Sequence, residues 1–232
     1  MIVTAIIVAA GEGLRMRSGI RKQYLSLCGQ PILAHTLNPF ENCSAVQEIF
    51  LVIPEEDHVF CQEKIIAPLK TRKKVHLISG GEIRQESVYN GLKAIDSRCD
   101  LVVIHDGVRP FVRKDQIDIT IATARKYGSC IVAFPASDTI KLVGTNKQVI
   151  NTLEREMVWM AQTPQTFRYD LILEAHEVAR REGFEGTDDA SLVERLGEPV
   201  YVVPGDQYNI KITTPEDLRI AESLVQGKEK TC

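Results

Sequence analysis

Short apolar runs separated by stretches of helical periodicity recur along this chain. Ile2 to Val8 carries β-branched residues at successive positions, which marks a strand buried on both faces. Ile32 to Phe40 has apolar residues at helical spacing and stops near Asn38-Pro39. Ile49 to Ile53 is a short apolar strand ended by Pro54, and Asp57 to Leu69 predicts a helix. Val75 to Ser79 is a strand broken by Gly80-Gly81. Ser87 to Ile95 places Val88, Leu92 and Ile95 on one helical face. Leu101 to Ile104 is a strand ending in His105-Asp106-Gly107, Lys114 to Tyr127 a helix, and Cys130 to Ala133 a strand. The βαβ rhythm predicts a Rossmann-like α/β fold, a mostly parallel twisted sheet with helices on both faces.

Between Pro135 and Ala161 the rhythm changes. Residues 139–143 and 148–153 are β-prone runs around Gly144-Thr145-Asn146-Lys147, the pattern of a hairpin. It stands where a helix is due, so it is either an arm that holds a dimer or an ordinary edge hairpin, and pattern alone does not choose. Beyond it come a helix over 169–181, a loop at Gly186-Thr187-Asp188-Asp189, a helix over 190–196 and a last strand at 200–203. A final helix has Thr214 as N-cap, Pro215 at its first position and Asp217 completing a capping box. The acids at 188 and 189 are assigned first to capping. No repeat or linker divides the chain, so residues 1–232 are expected to form one domain with 136–160 as a β-arm.

Composition narrows the class. The chain has 232 residues, 44% hydrophobic and 25% charged, enough for one full α/β core. A net charge of -3 provides no global field for nucleic acid. Six scattered cysteines without a Cys-x-x-Cys pair point away from metal clusters and disulfides, which fits a reducing cytoplasm. No signal peptide is expected, and no apolar run approaches bilayer length.

The chemistry gathers at strand ends. After the first strand, Ala9, Ala10, Gly11 and Gly13 form a small-residue loop followed by Arg15 and Lys22. Glycines let backbone N–H groups approach an anion, and two cations follow, the combination a nucleoside triphosphate requires. Met16 replaces the third glycine of the dinucleotide fingerprint, and the Walker spacing is absent, which argues against a dehydrogenase or P-loop kinase. In open α/β sheets ligands bind beyond the carboxyl ends of the strands. Loops 10–22, 80–87 and 105–109 and the segment around Lys211 should therefore meet. Asp106 can receive a divalent cation or sugar hydroxyls, or cap the next turn. Arg109 can grip phosphate, or pair with Asp106. His105 reads as a partly buried strand-end residue. Arg84 and Ser87 can hold a base or sugar, or simply open the next helix.

Taken in order, Ala9 to Met16 with Lys22-Gln23-Tyr24, Gly80-Gly81 with Arg84 and Ser87-Val88, His105-Asp106 with Arg109-Pro110, Asp138 to Lys141, Gln162-Thr163-Pro164-Gln165, Thr187 to Ser191 and Asn209-Ile210-Lys211 resemble the 2-C-methyl-D-erythritol 4-phosphate cytidylyltransferases. Any one motif is weak, but seven in order are specific. The resemblance implies that CTP and a methylerythritol phosphate give a CDP-sugar alcohol and pyrophosphate, with the substrate phosphate as nucleophile and Mg2+ carried mainly on the CTP phosphates, Asp106 being the candidate protein ligand. It implies Arg15 and Lys22 on the triphosphate, and Arg155 and Lys211 on the incoming phosphate. Asp106, Arg109, Thr139 and Thr163 would bind the sugar alcohol, and Ala9, Ala10, Gly81, Glu82 and Ser87 the cytidine. It also implies a homodimer in which Thr139 and Arg155 serve the neighbouring site. Glu82, Ile83 and Gly107-Val108 depart from the family's usual residues. A Val before Arg109 also occurs in ribitol 5-phosphate cytidylyltransferases, which makes ribitol phosphate the alternative substrate. A nucleotide-binding module without turnover is the non-enzymatic reading, opposed by the cations assigned to a nucleophile.

Overall fold

A computed structural model describes residues 1–13, 16, 19–96 and 98–229. Its elements are β1 (Val3–Val8), β2 (Ser26–Leu27), β3 (Gln30–Pro31), α1 (Ile32–Glu41), β4 (Glu48–Ile53), α2 (His58–Cys61), α3 (Ala67–Leu69), β5 (Lys74–Ser79), α4 (Arg84–Ala94), β6 (Leu101–Asp106) and α5 (Lys114–Tyr127). They continue with β7 (Ser129–Pro135), β8 (Lys141–Val143), β9 (Val149–Thr152), β10 (Trp159–Arg168), α6 (Tyr169–Glu182), α7 (Asp189–Arg195), β11 (Tyr201–Pro204) and α8 (Pro215–Glu229). A π-helical stretch, Gln62–Ile66, joins α2 to α3, so one helical segment spans the stretch expected from the apolar spacing.

Seven strands form one sheet in the order β11-β7-β10-β6-β1-β4-β5. Alternate residues feed two cores. Ala5, Ile7, Ile49, Leu51 and Val103 pack with Leu33, Leu37 and Phe40 of α1 and Ile117 and Ile121 of α5. Ile6, Phe50, Val52, Val102 and Ile104 pack on the other face with Val88 and Leu92 of α4 and Ile172 and Ala175 of α6. Helices thus cover both faces, as the continuous apolar strands require.

The sheet is mostly parallel, as expected, but β10, which lies antiparallel between β6 and β7, falls where the sequence marked no strand. Its run Gln162-Thr163-Pro164-Gln165-Thr166 gives no apolar signal, yet Gln162, Thr163, Gln165 and Thr166 are buried, their polar groups satisfied by hydrogen bonds such as Thr166 to Thr120 at 2.9 Å. Helix α1 spans the expected Ile32 to Phe40 and ends one residue later. It continues through Pro39 to Glu41, and burial of Phe40 offsets the missing N–H donor. Helix α4 begins at Arg84, three residues before the expected start at Ser87, because its first turn faces the cleft.

Strands β8 and β9 pair only with each other, as a separate two-stranded sheet. Every residue in them is exposed, including Leu142, Val143, Val149 and Ile150. The hairpin is therefore not an edge of the main sheet. At the other end of the chain, the N-cap of α8 is as expected. The Asp217 carboxylate accepts from the N–H groups of Thr213 and Thr214, and Thr214 Oγ1 accepts from the Asp217 N–H.

Candidate active site

Parallel register puts the ends of β1, β4, β5 and β6 on one edge of the sheet: Val8 stands opposite both Val52 and Asp106, and Ile53 opposite Ser79. A cleft of about 450 Å³ opens there. Ala9, Ala10, Gly11, Glu12, Lys22, Gly81, Glu82, Ser87, Asp106 and Lys211 line it, so the expected convergence of four loops occurs. A fifth contributor is Pro54, Glu55 and Glu56, beyond β4. The same rule about strand ends covers this loop too, but Pro54 read only as a stop.

Small residues let these loops touch. A Cβ on Gly80 would lie 2.3 Å from Ala10 Cβ, and one on Gly107 2.7 Å from Ala9 Cβ. The loop after β1 is held at its base by Gln23, whose Nε2 donates to the Ala9 carbonyl at 2.7 Å. Gly13 has φ +71° and lies under the stem of Lys22, where a Cβ would come within 3.0 to 3.3 Å of three side-chain carbons. Arg21, which the sequence reading passed over, clamps the end of this loop by hydrogen bonds to both carboxylate oxygens of Asp57 at 2.8 Å and one to Glu56 at 2.5 Å. Arg15 lies outside the described residues.

Asp106 is the electrostatic centre. Its Oδ1 accepts from Arg84 Nε at 3.1 Å, and its Oδ2 meets Arg109 Nε at 3.3 Å and Lys211 Nζ at 3.0 Å. Burial would raise this carboxyl's pKa, but the three cations outweigh burial and hold it well below the usual range. The pairing of Arg109 with Asp106, one of its two readings, is present. Lys211 arrives because the Ile212 N–H donates to the Val108 carbonyl, while Arg109 Nη1 donates to the Asn209 carbonyl at 2.8 Å.

Behind Asp106 stands a neutral buried pair. Thr163 Oγ1 accepts the Asp106 N–H at 3.0 Å and contacts His105 Nδ1 at 2.9 Å, while His105 Nε2 lies 3.1 Å from the Arg109 carbonyl. Because the Arg109 carbonyl can only accept, Nε2–H donates to it, and in the neutral ring Nδ1 accepts from the Thr163 hydroxyl. His105 is fully rather than partly buried, and burial pushes its pKa down to about 4.

Ser87 lies in the wall with its hydroxyl already engaged, accepting from the Gly81 N–H at 3.0 Å and donating to the Ile83 carbonyl. Glu82 is held by its N–H, which donates to Glu86 at 2.9 Å. Thr139 and Arg155 are exposed and absent from the cleft wall; Arg155 Nη1 donates to the Ser137 carbonyl. Of the two loop acids, Asp188 caps α7, accepting the Ser191 N–H at 2.9 Å. Asp189 does something else, pairing with Arg84 and His176.

No group of three or more His, Cys, Asp or Glu side chains able to hold a metal occurs among the described residues. Both Asp106 oxygens already face cations. This donor set fits magnesium only as an ion that draws most of its ligands from phosphates and water.

The model of the family described as 2-C-methyl-D-erythritol 4-phosphate cytidylyltransferase matches residues 3–227. The chain belongs to this family. A relative from Geotalea uraniireducens with that name is 50% identical over 229 residues, covering 98% of each chain. A crystal structure titled as the 4-diphosphocytidyl-2C-methyl-D-erythritol synthase of Anaerococcus prevotii superposes with a TM-score of 0.88 at 35% identity, covering 97% of this chain and 96% of that one. The Francisella tularensis cytidylyltransferase structure gives 0.81 at 34% identity, covering 96% and 99%. Of the two sugar alcohol phosphates left open by the sequence, family membership supports the methylerythritol reading. Among the described residues, no helix is long and apolar enough to cross a membrane.

Proposed function

We propose that the cleft is a two-anion site for the family's cytidylyl transfer, with one set of cations on CTP and another on the sugar alcohol phosphate. The observation that carries this reading is that Lys22, on the loop after β1, and Lys211, bridged to Asp106, line one cleft. In the reaction the 4-phosphate oxygen of methylerythritol phosphate bonds to the α-phosphorus of CTP. The bond from that phosphorus to the bridging oxygen breaks, and pyrophosphate leaves.

A phosphate monoester has its second pKa near 6, so the nucleophile is already mostly ionised at neutral pH. No protein base is then required, and no His or Cys lines the cleft among the described residues. What the reaction needs is positioning and charge neutralisation. Lys22 and Arg15 neutralise the triphosphate and the leaving pyrophosphate, while the N–H groups of Gly11 and Gly13 approach the phosphates. Gly81, Glu82 and Ser87, with Ala9 and Ala10, hold the cytidine. Asp106 and Arg109 orient the sugar alcohol, with Thr163 fixing the Asp106 backbone. Lys211 receives the incoming phosphate. Magnesium bound on the triphosphate supplies further neutralisation of its charge.

Thr139 and Arg155 complete a neighbour's site in a homodimer. Supporting this, the hairpin exposes Leu142, Val143, Val149 and Ile150, and Met157, Trp159 and Met160 follow, an apolar surface that water alone would cover in a monomer. The enzyme mixed with CTP, Mg2+ and methylerythritol phosphate is expected to release pyrophosphate, and much more slowly with ribitol 5-phosphate. No release with either substrate overturns the reading.

A further inference from the structure

Arg84 opens α4, and its sequence position leaves it either holding a base or sugar or merely starting the helix. Its guanidinium lies instead between two carboxylates. Nε meets Asp106 Oδ1 at 3.1 Å, and Nη1 forms an ion pair with Asp189 Oδ2 at 2.8 Å. Asp189 is 1% exposed, and its Oδ1 contacts Nε2 of the fully buried His176 at 3.2 Å. Asp189 in turn is fixed by α7, which β10 grips from behind. Gln165 Nε2 donates to Asp188 at 2.7 Å, and Gln165 Oε1 accepts the Ala190 N–H at 3.1 Å. Because β10 also carries Thr163, the main chain and the side chain of Asp106 are both anchored through that strand.

The two oxygens of Asp106 are not equivalent. Oδ2 is shared by Arg109 and Lys211, both assigned to substrate, whereas Oδ1 is held by Arg84. An arriving phosphate dianion competes with a single carboxylate for Lys211. Arg84 has a different second partner, a carboxylate buried away from the cleft, so it has no reason to follow the phosphate. We propose that Arg84, anchored by Asp189, is a positioning residue that keeps Asp106 aimed at the sugar alcohol when Lys211 transfers from Asp106 to the incoming phosphate. This rests on the functional reading above. In the resting site the Lys211–Asp106 bridge is a placeholder. Once it opens, Oδ2 is available to a substrate hydroxyl, while Oδ1 stays fixed.

The test compares two conservative variants of the enzyme with the apolar variant Arg84→Met. Asp189→Asn removes the anchoring charge, and Arg84→Lys keeps the cation but lacks the fork needed to span two carboxylates. Misplacing a substrate-orienting group by about an ångström costs up to about 100-fold. In both variants the KM for methylerythritol phosphate is expected to rise about 10- to 100-fold, with the KM for CTP within about twofold of wild type. Arg84→Met should be worse than Arg84→Lys. Unchanged KM values, or both KM values moving together, overturn the positioning role while leaving the reaction intact. A wild-type enzyme that releases no pyrophosphate overturns the functional reading, and the inference with it.

Discussion

Lys22 and His105 carry different kinds of consequence at the scale of single residues. In the proposed reaction Lys22 meets charge that develops on the triphosphate, so Lys22→Ala is expected to lower kcat by about 10³-fold with little effect on the melting temperature. Pyrophosphate release beside a thermal melt checks both parts. His105 contributes through its neutrality instead. Folded, it takes a proton only near pH 4, whereas in the unfolded chain it does so near its ordinary 6.5. Between those values the unfolded state binds more protons, so stability falls as pH drops from about 6.5 towards 4. Urea midpoints across that window should decline in the wild type, and His105→Asn should flatten the decline. No local pattern announces this state, because a strand-end histidine is charged or neutral according to what surrounds it. The partners that decide it are Thr163, 58 residues away, and the carbonyl of Arg109.

At the scale of elements, the loops work because they touch. The contact between Gly80, beyond β5, and Ala10, beyond β1, leaves no room for a side chain. Gly80→Ala would force the two loops apart. Overpacking of this kind costs about 1–3 kcal/mol, and here the displaced loop is the one proposed to hold the nucleotide. A lowered melting temperature together with weaker CTP binding by calorimetry is the expected pair of results; unchanged CTP affinity would show that the loop spacing is not needed. Residues 10–11 and 80–81 announced a ligand loop by composition, but not that they pack on each other. Strand β10 is the element the sequence concealed most. Its buried glutamines and threonines carry no apolar periodicity, and their burial is accounted for only when their partners, Thr120, Asp188 and Ala190, are brought alongside.

For the whole molecule, the proposed role of the arm is assembly. Deleting residues 141–148 is expected to yield monomers by light scattering and to abolish activity, since Thr139 and Arg155 would no longer reach a partner's cleft. Dimers that survive the deletion would overturn the arm's role. A mixture of Lys22→Ala and Arg155→Ala protein, refolded together, should recover activity that neither has alone, because one site of each mixed dimer then holds both cations.

Most of the architecture was legible because apolar periodicity is a local property. A strand buried on both faces must be apolar throughout, and a helix on its flank must repeat its stripe. The cleft was legible for a related reason, since parallel strands bring the loops at their carboxyl ends to one edge. That rule brings Lys22, Gly81, Asp106 and Lys211 to one wall, where the structure has them. What only the tertiary structure decided were the partners of polar groups. Whether Arg84 faces a base or a carboxylate, whether Asp189 caps a helix or anchors an arginine, and whether Gln165 lies in a loop or a central strand all depend on residues distant in sequence. A hydrogen bond or ion pair is set by its partner's position, and no spacing along the chain records it.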